Sequence, residues 1–268
     1  MPLVVCPTPI GNLEDVTLRV LRELAEADLV LCEDTRRTRV LLDRHGVTAR
    51  VQSFHRHNEA AREDEVLARL EAGERVALAS DAGLPGVNDP GAALIAAAVA
   101  RDLPVTVLPG PSAVETALVA SGLVAERYAF LGYLPRRRGE LEALWEELRS
   151  WPWPAVAFES PRRLPASLAS LAAAVPERPV AVCRELTKRF EEVARGTASE
   201  LAARFADPPK GEVTLVFGGD VAGAPDSAGD AVDVVAELVQ AGLPRRRAAE
   251  LVSRLTGTSR NDLYRGSL

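Results

Sequence analysis

The chain has 268 residues, enough for one large domain or two modest ones. Hydrophobic residues make up 47%, charged residues 26% and aromatics 4%, so a core of mostly Ala, Val and Leu can form without metals or disulfides, and global disorder is excluded. A net charge of −6 excludes a protein that coats nucleic acid indiscriminately, although it says nothing about local basic patches.

Short apolar runs at Leu3–Cys6, Leu29–Cys32, 51–54, Val76–Ala79 and 105–108 read as buried strands. Helical segments lie between most of them. Residues 16–27 place Val16, Val20, Leu21 and Leu24 on one face; 59–72 have Asn58 as N-cap and Gly73 as stop; Ala92–Ala100 has Pro90 in its first turn. His45, before Gly46, marks a further helix end. This alternation predicts a mostly parallel sheet covered by helices.

A second series has strands at Ala129–Tyr133, 155–158, 180–183 and Val213–Phe217, with helices at 141–149, Leu164–Ala174 and 198–205, in a parallel or mixed sheet. Residues 218–230 are rich in Gly, Ala, Asp and Pro and read as a linker. Residues 231–268 read as two or three short helices, broken at Gly242-Leu243-Pro244 and Gly257-Thr258-Ser259, with Thr258 or Ser259 as an N-cap. Their arginine excess suits a helix-turn-helix-like appendage as well as a solvated helical tail. The expected division is an N-terminal α/β domain at 1–122, a second α/β domain at 123–220, and a linker with helical appendage at 221–268.

Cys6, Cys32 and Cys183 are far apart and each lies in an apolar run, which predicts buried free thiols and a reducing, cytoplasmic setting. No signal peptide is expected, and no apolar run reaches the ~18 residues needed to cross a bilayer. Of 32 basic residues only Lys188 and Lys210 are lysine, and both sit at polar junctions beside strands.

Ligands of α/β sheets bind beyond the carboxyl ends of strands. The segments there are Pro7–Leu13, Glu33–Arg36, His55–Glu59, Ser80–Gly91 and Pro109–Ala113, all small and turn-forming or polar. Five such loops on one edge predict a binding crevice. None matches GxGxxG or GxxxxGK[ST], which disfavours Rossmann dinucleotide binding and P-loop chemistry. His55, His57 and Glu59 lack a further strong ligand nearby, so no metal site is expected.

In this order, PTPIGNL (7–13), EDTR (33–36), HNE (57–59), SDAG (80–83), NDPG (88–91), PGP (109–111), Glu159-Ser160 with Arg162-Arg163, RELTK (184–188) and KGE (210–212) resemble the tetrapyrrole-methylase-like class of S-adenosylmethionine-dependent methyltransferases. Within that class they are similar to the branch that methylates 16S rRNA. The resemblance runs from about residue 3 to the C-terminus. Leu84, Arg37, Pro161 and Ser112 depart from the residues frequent at those places (Thr, His, Thr and Cys).

The resemblance implies two α/β domains with the cofactor cleft between them, usually as a homodimer, and methyl transfer from S-adenosyl-L-methionine to the ribose 2′-oxygen of a cytidine in the decoding region of 16S rRNA in the small ribosomal subunit. No membrane partner is expected. Pro9, Asp81, Ala82, Gly83, Leu84, Ser112 and Ala113 are the candidate cofactor contacts. Lys188 is the first candidate for catalysis, either stabilising a developing alkoxide or, with a lowered pKa, accepting its proton; Glu185, Asn88, Glu33 and Asp34 are rivals. Arg36, Arg136, Arg137, Arg162, Arg163, Arg245 and Arg246 are candidate RNA contacts, suited to phosphates or to stacking on bases. A same-fold methyltransferase acting on a small molecule or protein, and a non-catalytic RNA-binding assembly factor, are the alternatives.

Overall fold

A computed structural model of the chain describes residues 2–219, 228–256 and 258–267. Most of the expected 218–230 linker and Gly257 of the expected helix break lie outside the described residues.

The first sheet contains β1 (Leu3–Cys6), β2 (Leu29–Cys32), β3 (Val51–Ser53), β4 (Val76–Ala79) and β5 (Val105–Val107), in the order β3-β2-β4-β1-β5. Every pairing is parallel. The inner strands β1, β2 and β4 read as continuous apolar runs because both their faces are covered, whereas the edge strands β3 and β5 are only partly buried. Leu3, Leu29, Leu31, Val76 and Leu78 pack on one face against Val66, Leu67 and Leu70 of α3 (Glu59–Glu71) and Leu94 and Ala98 of α4 (Ala92–Ala100). Their alternates Val4, Cys6, Val30, Cys32, Ala77 and Ala79 pack on the other face against Val20 and Leu24 of α1 (Leu18–Glu26) and Leu42 of α2 (Thr35–Arg44). This is the two-residue side-chain period of a strand, apolar on both sides. α5 (Ala113–Ser121) follows β5.

The second sheet contains β6 (Ala129–Tyr133), β7 (Ala155–Glu159), β8 (Pro179–Arg184), β9 (Glu192–Thr197) and β10 (Val213–Phe217), in the order β6-β7-β10-β8-β9. β6 and β7 pair in parallel. The neighbours β8 and β9 are joined by only 185–191, too short for a parallel crossover, so they run antiparallel and the sheet is mixed. β9 is absent from the sequence reading because it is an edge strand with a single buried residue, Ala194. The helices of this half are α6 (Arg138–Arg149), α7 (Leu164–Ala174) and α8 (Ala198–Arg204).

The chain divides into two compact units. The first holds Met1–Gly122 together with Val182–Val193 and Lys210–Thr214; the second holds Leu123–Ala181, Ala194–Pro209 and Leu215–Leu268. Two stretches assigned by sequence to the second domain, one of them carrying Lys188, therefore belong to the first unit. The expected appendage falls within the second unit as α9 (Ala228–Gln240), α10 (Arg245–Thr256) and α11 (Arg260–Gly266). These helices share a core of Ala231, Val235, Ala248, Ala249, Val252 and Leu263.

Some local expectations change. Pro90 lies outside α4, whose N-cap is Gly91 at φ +109°; a Cβ there would come within 2.5 Å of Leu78 Cδ2. Asn58 does not cap α3 with its side chain; it accepts from His55 N–H (2.7 Å) and donates to the Ser53 carbonyl (3.2 Å). Ser259 precedes α11 without a side-chain cap. All three cysteines are buried free thiols, and burial pushes the Cys6 thiol up to about 12.

In the second unit the buried guanidinium of Arg178 donates to the carbonyls of Gly218 (2.8 Å), Trp151 (3.1 Å) and Leu148. Two chain segments, the end of α6 and the end of β10, thus converge on one side chain that presents several donors in a fixed plane. Arg178→Met should leave those buried carbonyls unsatisfied and lower stability by on the order of 3 kcal/mol. Denaturant melts of the full chain check this, and Arg178→Lys should recover little, since one ammonium cannot reproduce the fork.

Candidate active site

The loops after β1 and β4 meet. Thr8 and Gly83 exchange backbone hydrogen bonds, N–H to C=O at 2.9 Å in each direction. The Thr8 hydroxyl donates to the Ser80 carbonyl (2.9 Å) and the Ser80 hydroxyl to the Gly83 carbonyl (2.6 Å). The connection leaving β1 runs to β2 and that leaving β4 runs to β5, in opposite directions across the sheet. Ligand crevices of open α/β sheets form at such reversals.

A cavity of about 320 Å³ opens here, lined by Thr8–Gly11 and Leu13, by Arg37, Thr38, Val40 and Leu41 of α2, by Ser80–Ala82, and by Lys188 and Glu212. All of these residues belong to the first unit. The volume lies within the range of small-molecule clefts. Small side chains at Pro9, Gly11 and Ala82 leave backbone polar groups accessible, while Asp81 and Lys188 supply opposite charges. Asp81 accepts from the Asp34 N–H (2.9 Å) and lies 3.5 Å from Arg37.

Lys188 stands on the tight loop between β8 and β9. Its ammonium donates to Glu185 Oε1 (2.9 Å) and Glu212 Oε2 (2.8 Å). Glu185 Oε1 also accepts from the Glu212 N–H (2.9 Å), and the Glu185 N–H donates to the Glu212 carbonyl (3.0 Å). Partial burial alone would lower the Lys188 ammonium, but its hydrogen bonds to Glu212 and Glu185 outweigh this and hold it above its ordinary value. The Lys188 hydrogen bond, then the Glu212 N–H, hold the Glu185 carboxyl below its usual range. Lys188 is therefore a fixed cation at neutral pH, and the expectation of a lowered pKa is corrected. Gly11 makes this approach possible, since a Cβ there would lie 2.5 Å from Lys188 Cγ and 2.6 Å from the Leu186 carbonyl.

The cavity thus gathers Pro9, Asp81, Ala82 and Lys188 of the expected set. Glu185 supports Lys188 from outside the lining. Gly83 is buried in its pairing with Thr8, and Leu84 is half-buried in the same loop. Ser112 and Ala113 open α5 outside the lining, with the Ser112 hydroxyl donating to Glu115. Asn88 has an exposed side chain and a left-handed backbone (φ +59°), and its carbonyl accepts from Arg56 (2.9 Å). Asp34 caps α2 and pairs with Arg36; that hydrogen-bonded arginine holds its carboxyl at about 2 and makes it a poor base.

Thr8, Arg37 and Glu212 are lining residues that the sequence reading did not single out. Glu212 lies in the KGE segment and Thr8 in PTPIGNL, but their pairing depends on long-range folding. Among the arginines, Arg163 is turned inward, donating to the Leu134 carbonyl (3.3 Å) and lying 3.4 Å from Glu159. Arg137 pairs with Glu140 (3.1 Å) and Arg36 with Asp34 (2.9 Å), both at the surface. Arg136, Arg162 and Arg246 are exposed, and Arg245 is half-exposed. Among the described residues no His/Cys/Asp/Glu group could hold a metal ion.

A parallel α/β unit with a charged pocket beyond its strand ends is the arrangement in which open α/β sheets bind small ligands. The family model of tetrapyrrole (corrin/porphyrin) methylases matches residues 2–202, and that of the RsmI C-terminal HTH domain matches residues 225–266. A relative from Mesorhizobium japonicum, called ribosomal RNA small subunit methyltransferase I, is 44% identical over 96% of this chain and 88% of its own. A protein of the same name from Micromonospora olivasterospora is 42% identical over 98% and 85%. The uroporphyrin-III C-methyltransferase of Thermus thermophilus, solved with S-adenosyl homocysteine, shares the fold at a TM-score of 0.57 and 18% identity, over 83% of this chain and 99% of its own. The chain belongs to the tetrapyrrole methylase family, in the branch of the ribosomal RNA small subunit methyltransferase I proteins, and is a methyltransferase.

Asp89, in the loop after β4, has its carboxyl pushed up to about 6, by burial first and then by Glu33 and Asp81, against a lowering pull from Arg56. The fold therefore favours the protonated carboxyl. The associated stability is full below the ordinary value of 3.8 and is lost as pH rises through about 6. Asp89→Asn should raise Tm near pH 7, with the gap closing towards pH 4. Thermal melts over that interval decide it: a variant equally destabilised at every pH would remove ionisation as the cause.

Proposed function

We propose that this chain transfers the methyl group of S-adenosyl-L-methionine to the ribose 2′-oxygen of a cytidine in the decoding region of 16S rRNA within the small ribosomal subunit. The observation that carries the chemistry is Lys188, a charged ammonium on the wall of the cavity. An ammonium has three donors. Glu185 and Glu212 take two, which leaves the third for an oxygen on which negative charge develops. Such preorganised charge acts on the transition state.

S-adenosylmethionine supplies a sulfonium methyl for in-line displacement. Asp81 can accept from its donor groups, and backbone at Pro9 and Ala82 can approach it closely. Much of the rate comes from holding the reacting atoms in line. Glu185, with its lowered pKa, is a weak base and serves to fix Lys188. Glu33 and Asn88 lie outside the cavity lining and have no assigned step.

The RNA substrate is supported by the relatives' names over nearly the whole chain and by the match of the C-terminal segment to a helix-turn-helix domain. Arg245 and Arg246 at the start of α10 have no ion-pair partner among the described residues, and Arg136 and Arg162 also reach solvent. A homodimer belongs to the same reading, supported by the exposed Val107 on edge strand β5 and Val119 on α5. So does a cytoplasmic location, where ribosomal subunits and reduced thiols coexist; no helix among the described residues is long and apolar enough to cross a membrane.

Labelled methyl transfer onto undermethylated small subunits, with the product mapped to a ribose 2′-oxygen, tests the reading; a methyl on a base atom rejects it. Lys188→Met should lower kcat about 100-fold or more while leaving S-adenosylmethionine affinity nearly unchanged. The combined Arg245→Glu and Arg246→Glu variant should weaken subunit binding and flatten its salt dependence by about two phosphate contacts, which a salt titration of Kd measures.

A further inference from the structure

The loop between β8 and β9 is strained in an unusual way. Glu185 (φ +52°) and Thr187 (φ +64°) both adopt left-handed backbone, although neither is glycine and Thr is β-branched. Such conformations persist only where surrounding structure enforces them. Here Lys188 N–H donates to the Glu185 carbonyl (3.0 Å), Glu191 N–H to the Lys188 carbonyl (3.1 Å), and Thr187 N–H to Glu191 Oε2 (2.6 Å).

The strain has a geometric result. It turns Lys188 onto the cavity wall while its neighbours Arg189 and Phe190 face solvent. Phe190 is 65% exposed, a costly placement for a large aromatic. The Arg189 guanidinium stands 5.5 Å from its ring centroid. An open aromatic ring beside an exposed arginine, two residues from a charged ammonium, matches how single-stranded RNA is held: a base stacks on the ring or guanidinium while cations meet the backbone.

We propose that Phe190, with Arg189 against it, is a stacking platform for a nucleobase of the substrate RNA, and that the β8–β9 loop couples base stacking outside the cavity to presentation of a ribose hydroxyl at Lys188. The inference rests on the rRNA reading above and adds a specificity-determining residue to it. A duplex buries base faces, so the platform requires an unstacked or flipped nucleotide. It also accounts for the rigidity of the loop: a platform and an ammonium serving adjacent parts of one nucleotide must keep a fixed separation.

The experiment compares wild type, Phe190→Ala and Phe190→Trp in methyl transfer onto undermethylated small subunits, with S-adenosylmethionine affinity and sedimentation measured in parallel. Phe190→Ala should lose about 5- to 150-fold in kcat/KM for the subunit, the range for removing one base stack. Cofactor affinity and oligomeric state should not change. Phe190→Trp should retain most of the activity, because an aromatic face is kept. If wild type methylates the subunit and Phe190→Ala does so equally well, the platform is overturned while the rRNA reading stands. If Phe190→Ala instead alters sedimentation, Phe190 is a subunit contact and the platform is again overturned. If wild type itself transfers no methyl to rRNA, the parent reading fails and the platform with it.

Discussion

The first unit depends on a clamp between the loops after β1 and β4. Thr8 and Ser80 are 4% and 5% exposed, so their hydroxyls cannot rely on water. Each must find a partner, and the partners available are the Ser80 and Gly83 carbonyls, beside the paired backbones of Thr8 and Gly83. Buried polar groups satisfied in this way rigidify a structure, whereas the same groups unsatisfied would destabilise it. The clamp fixes Pro9–Gly11 on one side and Asp81–Ala82 on the other, and these are walls of the cavity. Without it, two Gly- and Pro-containing loops would have no reason to hold one shape.

Electrostatics in this unit work by pairing in one place and by isolation in another. Glu185 and Glu212 surround Lys188, and attraction outweighs the desolvation that would otherwise discharge the lysine. Asp89 has the reverse surroundings: burial and two neighbouring carboxylates oppose its ionisation, and Arg56 offsets them only in part. One unit therefore holds a persistent cation and, in the loop after β4, a carboxyl that gains and loses its proton near neutrality.

Much of this was legible in the sequence where the signal is local. Leu3–Cys6, Leu29–Cys32 and Val76–Ala79 stand as strands where their apolar runs place them, because burial on both faces leaves no polar interruption, and Ala129–Tyr133 and Val213–Phe217 also stand where their apolar runs place them. β9 was not legible, since an edge strand needs few buried residues. α2 was recognisable only at its end, by His45, because four arginines within Thr35–Arg44 mask the buried stripe of Thr38, Leu41 and Leu42. In the cavity, Pro9, Asp81 and Ala82 were marked by their position after strands. Glu212 was not, because its value comes from meeting a residue 24 positions earlier. Arg163 shows a second limit of local signals. An arginine pair reads as a surface for RNA, yet Arg163 is turned inward to the Leu134 carbonyl and Glu159, and only Arg162 is left exposed.

The scarcity of lysine takes on a physical meaning at one of its two positions. At Lys210 the main-chain carbonyl is what is used, as an acceptor for Arg184 (3.1 Å), and the side chain is exposed. Arginine would serve there equally well. At Lys188 it would not. A guanidinium presents its donors in a plane and favours bidentate pairing with one carboxylate. The site instead asks one atom to bind two carboxylates from different segments and still direct a proton into a cavity, which is tetrahedral geometry. The stem must also pass Gly11, where even a methyl group would collide. A chain that otherwise writes nearly every cation as arginine keeps lysine where the number and direction of donors on a single nitrogen decide the chemistry.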